Sequence, residues 1–168
     1  RLSKLTAAKG GSFYVFYDRN QYVMKNERPK WLEQAECKLV LHRNCRNTAE
    51  IFKTSCSLIS IEGNIYDNSV HGEIPGAVFV ANQTELLNEA TKFVQKAISS
   101  GVQPDEVVFL TVETEKKSWL SGVTSINKIM ISNEKTEGNI LFTSVRKFKG
   151  LEAKAVMIVD MSVSSLTD

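Results

Sequence analysis

The stretch that decides the fold is Arg146-Lys147-Phe148-Lys149-Gly150-Leu151-Glu152-Ala153-Lys154-Ala155, followed at once by Val156-Met157-Ile158-Val159-Asp160. A second apolar run, Asn139 to Thr143, comes just before it. Short apolar runs on either side of a polar turn are typical of buried strands. The turn carries several cations, a glycine and a carboxylate, and open α/β sheets build ligand sites at the carboxyl ends of their strands. The stretch therefore predicts a ligand-binding turn at that edge of an α/β sheet.

The rest of the chain alternates further apolar runs with helical patterns. The expected strands are Phe13–Tyr17, Lys38–His42, Gly76–Ala81, Val107–Val112, Ile140–Val145 and Val156–Asp160, with Lys128–Ser132 as a short extra strand. Strands that are apolar throughout and separated by helices indicate a parallel sheet covered on both faces. The predicted fold class is a three-layer α/β/α domain with a mainly parallel sheet.

Two capping boxes mark the expected helices. Asn47-Thr48-Ala49-Glu50 opens one helix, whose expected apolar face is Ile51, Phe52, Cys56 and Ile59. Asn82-Gln83-Thr84-Glu85 opens the other, whose apolar stripe is Leu86, Leu87, Ala90, Phe93, Val94, Ala97 and Ile98. Gly101 is a natural stop for the second helix, and the polar stretch 63–75 predicts a loop.

Composition sets broad limits on the class of protein. The 168 residues are 42% hydrophobic and 24% charged, which is ordinary for a globular chain of one domain or slightly more. The net charge is only +2, so nucleic-acid binding would depend on local clusters. Those clusters are Arg43 with Arg46, and Arg146 with Lys147 and Lys149. Because the chain begins at Arg1, we expect it to be a piece of a longer protein.

Cysteine and histidine spacing argues against disulfides and metal sites. Cys37, Cys45 and Cys56 form no Cys-x-x-Cys pair, and His42 and His71 have no partner at metal-ligand spacing. Free thiols in a reducing compartment are the simpler interpretation, so we expect a cytoplasmic location. No apolar run approaches the ~20 residues of a membrane span, and no signal peptide is visible. We expect no membrane partner.

Three polar segments follow expected strands in a particular order. They are Tyr17-Asp18-Arg19-Asn20-Gln21, His42-Arg43-Asn44-Cys45-Arg46-Asn47-Thr48, and Ser144 to Glu152. Each has a simpler interpretation alone: a polar turn, a surface salt bridge at Arg46, and an ion pair of Lys149 with Glu152. Taken together they resemble motifs III, IV and V of UvrD/Rep-type superfamily 1 helicases, over about Phe13 to Asp160.

The resemblance implies a role for each matching residue. Gln21 would sense the γ-phosphate, and Arg46 would stabilise charge during phosphoryl transfer. Gly150 and Glu152 would meet the nucleotide, with Glu152 at the ribose. The implied nucleic-acid contacts are Ser144, Arg146 and Lys147. The implied ligands are ATP and Mg²⁺, with the metal held mainly by the first motor domain.

Several features depart from the family pattern. There is no Gly-x-x-x-x-Gly-Lys-Ser/Thr loop and no Asp-Glu pair after a strand, both of which belong to the first motor domain. Cys45 replaces a tyrosine, Arg146 replaces a histidine, and Met24 and Asn26 stand where base-stacking aromatic residues are usual. Only 26 residues separate Val112 from Asn139, so the accessory domain inserted in UvrD and Rep has no room here.

The resemblance predicts part of an ATP-dependent DNA helicase or translocase. Residues 1–32 would be the end of the first motor domain, and 33–168 the second RecA-like motor domain, ending before motif VI. The expected partners are single-stranded DNA (RNA is possible), ATP and the first motor domain of the same chain. The isolated piece should not hydrolyse ATP.

The alternative is a degenerate helicase-like module that binds nucleic acid or protein without ATPase activity. A flavodoxin-like or receiver-type domain is the weaker third possibility, since Asp18 lacks the acidic neighbours a receiver needs.

Overall fold

The computed structural model describes residues 43–44, 47–58, 64–65 and 70–162, all within one compact unit, Arg43–Asp168. The strands are β1 (Arg43–Asn44), β2 (Asn64–Ile65), β3 (Val107–Thr111), β4 (Ser125–Ile126), β5 (Ile129–Ser132), β6 (Ile140–Ser144) and β7 (Ala155–Val159). The helices are α1 (Ala49–Leu58), α2 (Gln83–Ser99) and α3 (Val145–Phe148), with a 3₁₀ turn at Pro104–Glu106. The predicted strands 13–17 and 38–42 lie outside the described residues.

In the part of the chain that the structure describes, the main sheet has five strands in the order β4-β5-β6-β3-β7. β3 lies between β6 and β7 and is parallel to both, and β6 is parallel to β5. β4 and β5 form an antiparallel hairpin, and Asn127 and Lys128 turn it with φ of 50° and 63°. Positive φ at both central residues is what a two-residue hairpin turn needs. The chain is therefore a mixed α/β fold with a mostly parallel sheet.

Four strand predictions are confirmed to within a residue at each end. β3, β6 and β7 match the expected runs at 107, 140 and 156, and β5 matches the short extra strand. β3 is buried at every position, as a central parallel strand should be. β1 pairs with β2 in a separate two-stranded parallel sheet, so part of the stretch expected to be a loop at 63–75 is a strand.

α2 follows its sequence signals closely. The Asn82 side chain accepts a hydrogen bond from the N–H of Glu85 (2.9 Å), and Glu85 accepts from the N–H of Ala81 (2.8 Å). The helix ends before Gly101, whose φ of +91° suits the left-handed position after a helix. The expected apolar stripe is inward, with its fully buried members at Leu86, Ala90, Val94 and Ala97.

The two faces of the main sheet are covered differently. α2 packs on the face that carries Val107, Phe109, Ile140, Phe142 and Val159. On the other face, Phe148 and Ala153 cover Val108, Leu110 and Leu141. Val156 and Ile158 are paired in register with Val108 and Leu110, yet are 41% and 49% exposed. In the described ranges, one face is thus covered by the long helix α2 and the other by a short helix and a crossover segment.

The predicted strand at Gly76–Ala81 is wrong. Residues 70–80 have no regular secondary structure, and Val78 and Phe79 are 66% and 90% exposed. The run is apolar, but no strand among the described residues pairs with it, and a strand is defined by such backbone hydrogen bonding.

The apolar face predicted for α1 is wrong at Ile51 and partly right at Phe52 and Cys56. Ile51 is exposed, Phe52 and Cys56 are half-buried, and Ile59 lies outside the described residues. The Thr48 hydroxyl caps the N–H of Ile51 (3.4 Å), while Glu50 binds His71 and Gly72. The carboxylate expected in the capping box therefore ties the helix to the segment that begins at Val70.

Candidate functional site

The carboxyl ends of β3, β6 and β7 meet at one edge of the sheet, as parallel strands require. Polar side chains lie at or just after the end of each of these strands: Thr111 and Glu115 at β3, Ser144, Arg146 and Lys147 at β6, and Asp160 at β7. We call this group the strand-end cluster. It is the place where open α/β sheets position ligand-binding residues.

Glu115 ties the end of β3 to the end of β6. Its Oε1 accepts hydrogen bonds from the Thr143 hydroxyl (3.1 Å) and the Ser144 N–H (3.3 Å), and its Oε2 accepts from Lys147 Nζ (2.8 Å). The hydrogen bond from Lys147, aided by that from Thr143 and by the lysine charge, lowers the pKa of Glu115 from its usual value. Glu115 is therefore a charged acceptor at neutral pH.

Asp160 makes the equivalent connection at the end of β7. Its Oδ2 accepts from the Thr111 hydroxyl (2.6 Å) and its Oδ1 from the N–H of Trp119 (3.1 Å). Asp160 has φ of 62°, a left-handed conformation that Asp tolerates better than most residues. The Trp119 carbonyl also accepts from Gln83 Nε2, so Asp160 and Gln83 together fix the backbone of Trp119, whose side chain is 43% exposed.

The predicted nucleic-acid residues lie together at this edge. Ser144 ends β6 and caps α3, with its hydroxyl accepting from the N–H of Lys147 (3.4 Å). Arg146 and Lys147 follow on α3 and are exposed. Lys147 reaches back to Glu115, whose side chain is 23% exposed against 67% for the lysine.

The expectation of one compact turn at the carboxyl edge is wrong, because the segment between β6 and β7 contains α3, a turn at 149–150 and a crossover. The chain crosses from β6 to the amino end of β7, where Lys154 Nζ contacts Glu106 (2.7 Å) and the Lys154 N–H donates to the Glu106 carbonyl (3.1 Å). Both strands are parallel to β3, so the segment between them must traverse the sheet.

Gly150 adopts a backbone conformation that favours glycine. Its φ is +90°, and the space where a Cβ would stand is open. Gly150 and Glu152 are both exposed on the crossover between the two edges. The glycine is therefore needed for the path of the chain, whatever ligand approaches it.

The remaining predicted site residues, Gln21 and Arg46, lie outside the described residues, as do Cys37, Cys45 and His42. Within the described ranges, no group of three His, Cys, Asp or Glu side chains could hold a metal ion. His71 Nδ1 lies 2.8 Å from Glu50 Oε1, and Cys56 is a free thiol.

Among the helices that the structure describes, none has both the length and the apolar composition for a bilayer crossing.

Sequence reasoning missed Glu115, Thr111 and Trp119. A usable signal was present, because Thr111 ends a buried strand and Glu115 comes soon after it, just as Ser144 ends β6 and Lys147 comes soon after it. The same strand-end rule that picked the second segment applies to the first. What no pattern could supply was the pairing of Glu115 with Lys147, which are 32 residues apart in sequence.

Comparisons of the chain with known protein families, with curated proteins and with solved structures give no match.

Proposed function

We propose that this chain is part of an ATP-dependent DNA helicase or translocase of the UvrD/Rep type. In this proposal it belongs to the second motor domain, has a RecA-like fold, and supplies half of the ATP site and part of the track for single-stranded DNA. We also propose a cytoplasmic location, because cysteine spacing without a Cys-x-x-Cys pair fits free thiols in a reducing compartment.

The observation that carries the proposal is the placement of Ser144, Arg146 and Lys147. They share the carboxyl edge of a parallel sheet, and two of them present exposed cations. A hydroxyl and two cations at such an edge suit the phosphates of a nucleic-acid backbone, which is bound largely through charge. Trp119 is fixed at the same edge by Asp160, and its partly exposed ring offers a surface on which a base could stack.

The ATP half of the proposal depends on the order of the three motifs. Arg46 would act on the γ-phosphate from across the domain cleft, and Gln21 would sense it. Gly150 and Glu152 would meet the nucleotide, and Mg²⁺ would be held mainly by the first motor domain. The second candidate is a degenerate helicase-like module that binds nucleic acid or a protein without ATPase activity. The lack of a metal-binding cluster in the described ranges is compatible with both candidates.

Binding of single-stranded DNA tests the track. Arg146→Ala should weaken binding of a labelled oligothymidylate severalfold and reduce the slope of log K against log salt by about 0.7, because one phosphate contact is lost. Fluorescence anisotropy at several salt concentrations measures both quantities. Lys92→Ala is the matched control, since Lys92 is an exposed cation paired with Glu89 on α2. Equal effects of the two substitutions would mean that binding is diffuse and that Arg146 has no special role.

ATP hydrolysis distinguishes the two candidates. In the whole protein, DNA-stimulated ATPase should fall by about a thousandfold in kcat with Arg46→Ala, while nucleotide binding is largely kept, because such an arginine acts mainly in the transition state. An unchanged rate would make Arg46 structural. A whole protein that binds single strands but shows no ATPase would support the binding module.

A further inference from the structure

Glu115 occupies a position surrounded by groups that bind anions. Its carboxylate accepts from a hydroxyl (Thr143), a backbone N–H (Ser144) and an ammonium group (Lys147), at 3.1, 3.3 and 2.8 Å. All three donors come from the end of β6 and the first turn of α3. Thr143 is buried, so its hydroxyl is fixed in direction, while Lys147 is mostly exposed.

These donors have the chemistry of a phosphate site. Phosphate oxygens in protein–nucleic acid complexes are bound by lysine, by Ser and Thr hydroxyls and by backbone N–H groups, and charge-assisted contacts of this kind are the strong ones. The Ser144 N–H and the Thr143 hydroxyl each donate a single proton, so neither can serve two anions at once. While Glu115 is in place, Lys147 is neutralised and the Ser144 N–H is occupied.

We propose that Glu115 is an internal competitor for nucleic-acid phosphate, a carboxylate that closes the Thr143–Lys147 site until a phosphate displaces it. This inference rests on the proposed function, and it adds a regulatory element to that site. Glu115 then lowers the affinity for nucleic acid. A nucleic-acid strand displaces the carboxylate only if it makes enough other contacts, such as one with Arg146.

The position of Glu115 makes such an exchange feasible. It lies in the segment that leaves β3, in a turn where the Thr114 carbonyl accepts from the N–H groups of Lys117 and Ser118. A rotation of this one side chain would free all three donors without breaking the sheet. Because Lys147 lowers the pKa of Glu115, the carboxylate stays charged near neutral pH. Opening therefore proceeds by competition between anions rather than by protonation.

The test compares Glu115→Ala and Glu115→Gln with Glu113→Ala. Glu113 is a nearby exposed carboxylate, so its substitution makes the same change in net charge without opening the site. We expect both Glu115 variants to bind oligothymidylate about tenfold more tightly, the effect of one additional strong contact, and Glu113→Ala to change affinity less than about twofold. The salt dependence should steepen by about 0.7 in the Glu115 variants alone. Adding Lys147→Ala to either Glu115 variant should remove the gain.

Inorganic phosphate gives a readout that does not depend on nucleic acid. In the Glu115 variants, phosphate should shift the NMR signal of the Ser144 amide, and in the unsubstituted protein it should not. Phosphate binding without any DNA binding would support the closed anion site and contradict the proposed function.

Other outcomes would overturn the inference. If the Glu115 variants fold, bind DNA like Glu113→Ala and leave the Ser144 signal unmoved by phosphate, Glu115 only braces β3 against β6. Thermal unfolding shows which variants are folded; Glu115→Gln keeps the side-chain volume and one accepting oxygen, so it decides the matter if Glu115→Ala does not fold.

Discussion

Two apolar runs of similar sequence differ in burial: one is in the core and the other is largely exposed. Residues 76–80 read Gly-Ala-Val-Phe-Val, and β3 reads Val-Val-Phe-Leu-Thr. Phe109, in the middle of β3, is fully buried, whereas Phe79 is 90% exposed. β3 is flanked by β6 and β7, while residues 76–80 belong to no strand. An apolar run becomes a strand only when neighbouring strands accept and donate its backbone hydrogen bonds.

The largest expected effect comes from truncating each phenylalanine. Phe109→Ala should reduce the free energy of unfolding by about 3–5 kcal/mol, because it leaves a cavity in the core and removes the ring that packs on Phe93, with centroids 6.2 Å apart. Phe79→Ala should stay within about 0.5 kcal/mol of the unsubstituted protein. Urea unfolding of both variants gives the two values. A comparable loss in the two variants would mean that Phe79 is buried in solution and would remove the contrast between the segments.

A smaller effect, on local stability, is expected at the contacts between α1 and the segment that contains Phe79. Glu50 Oε2 accepts from the Gly72 N–H (2.7 Å) and Oε1 contacts His71 Nδ1 (2.8 Å). The backbone at Gly72 packs closely against α1, because a Cβ on Gly72 would lie 2.8 Å from Thr48 Cγ2. The hydrogen bond with His71, followed by that from Gly72, lowers the pKa of Glu50 from 4.5 to about 2.

The pH dependence follows from the direction of that shift. A carboxyl group whose pKa is lower in the folded state stabilises the fold above its unfolded pKa and loses that contribution as pH falls. Protection of the Gly72 amide from hydrogen exchange should therefore be constant above about pH 4.5 and fall between about 4.5 and 2, after correction for intrinsic rates. Glu50→Gln should flatten this dependence, and the Phe109 amide, held in the sheet, should show little of it. Protection of Gly72 that follows the same curve in both proteins would assign the effect to another group.

The success of sequence reasoning varied with the range of the interactions involved. The ends of α2 were predictable because Asn82, Glu85 and Gly101 act within a turn of the helix they bound. β3 and β6 were predictable because a central parallel strand is apolar on both faces. β7, the last strand in the order of the described sheet, was predictable from its apolar run, although Val156 and Ile158 are partly exposed. The run at 76–81 has the same local composition, so the same rule failed there.

Some residues of the candidate site could likewise be predicted from local sequence, whereas the position of others depends on the tertiary structure. Ser144, Arg146 and Lys147 could be picked out because strand ends in a parallel sheet share an edge. The separation of Glu152 from that edge follows from the crossover between β6 and β7, which requires knowing that both are parallel to β3. Gln21 and Arg46 remain predictions.

The amino-acid sequence alone was enough for a mixed α/β class with a mostly parallel sheet, for the limits of α2 and for the positions of β3, β6 and β7, because these depend on apolar periodicity and on caps that act over a few residues. Strand order, the exposure of Phe79 and the pairing of Glu115 with Lys147 required the assembled sheet. Such contacts join residues far apart in the chain, and their energy depends on which strands become neighbours. No local pattern carries that information.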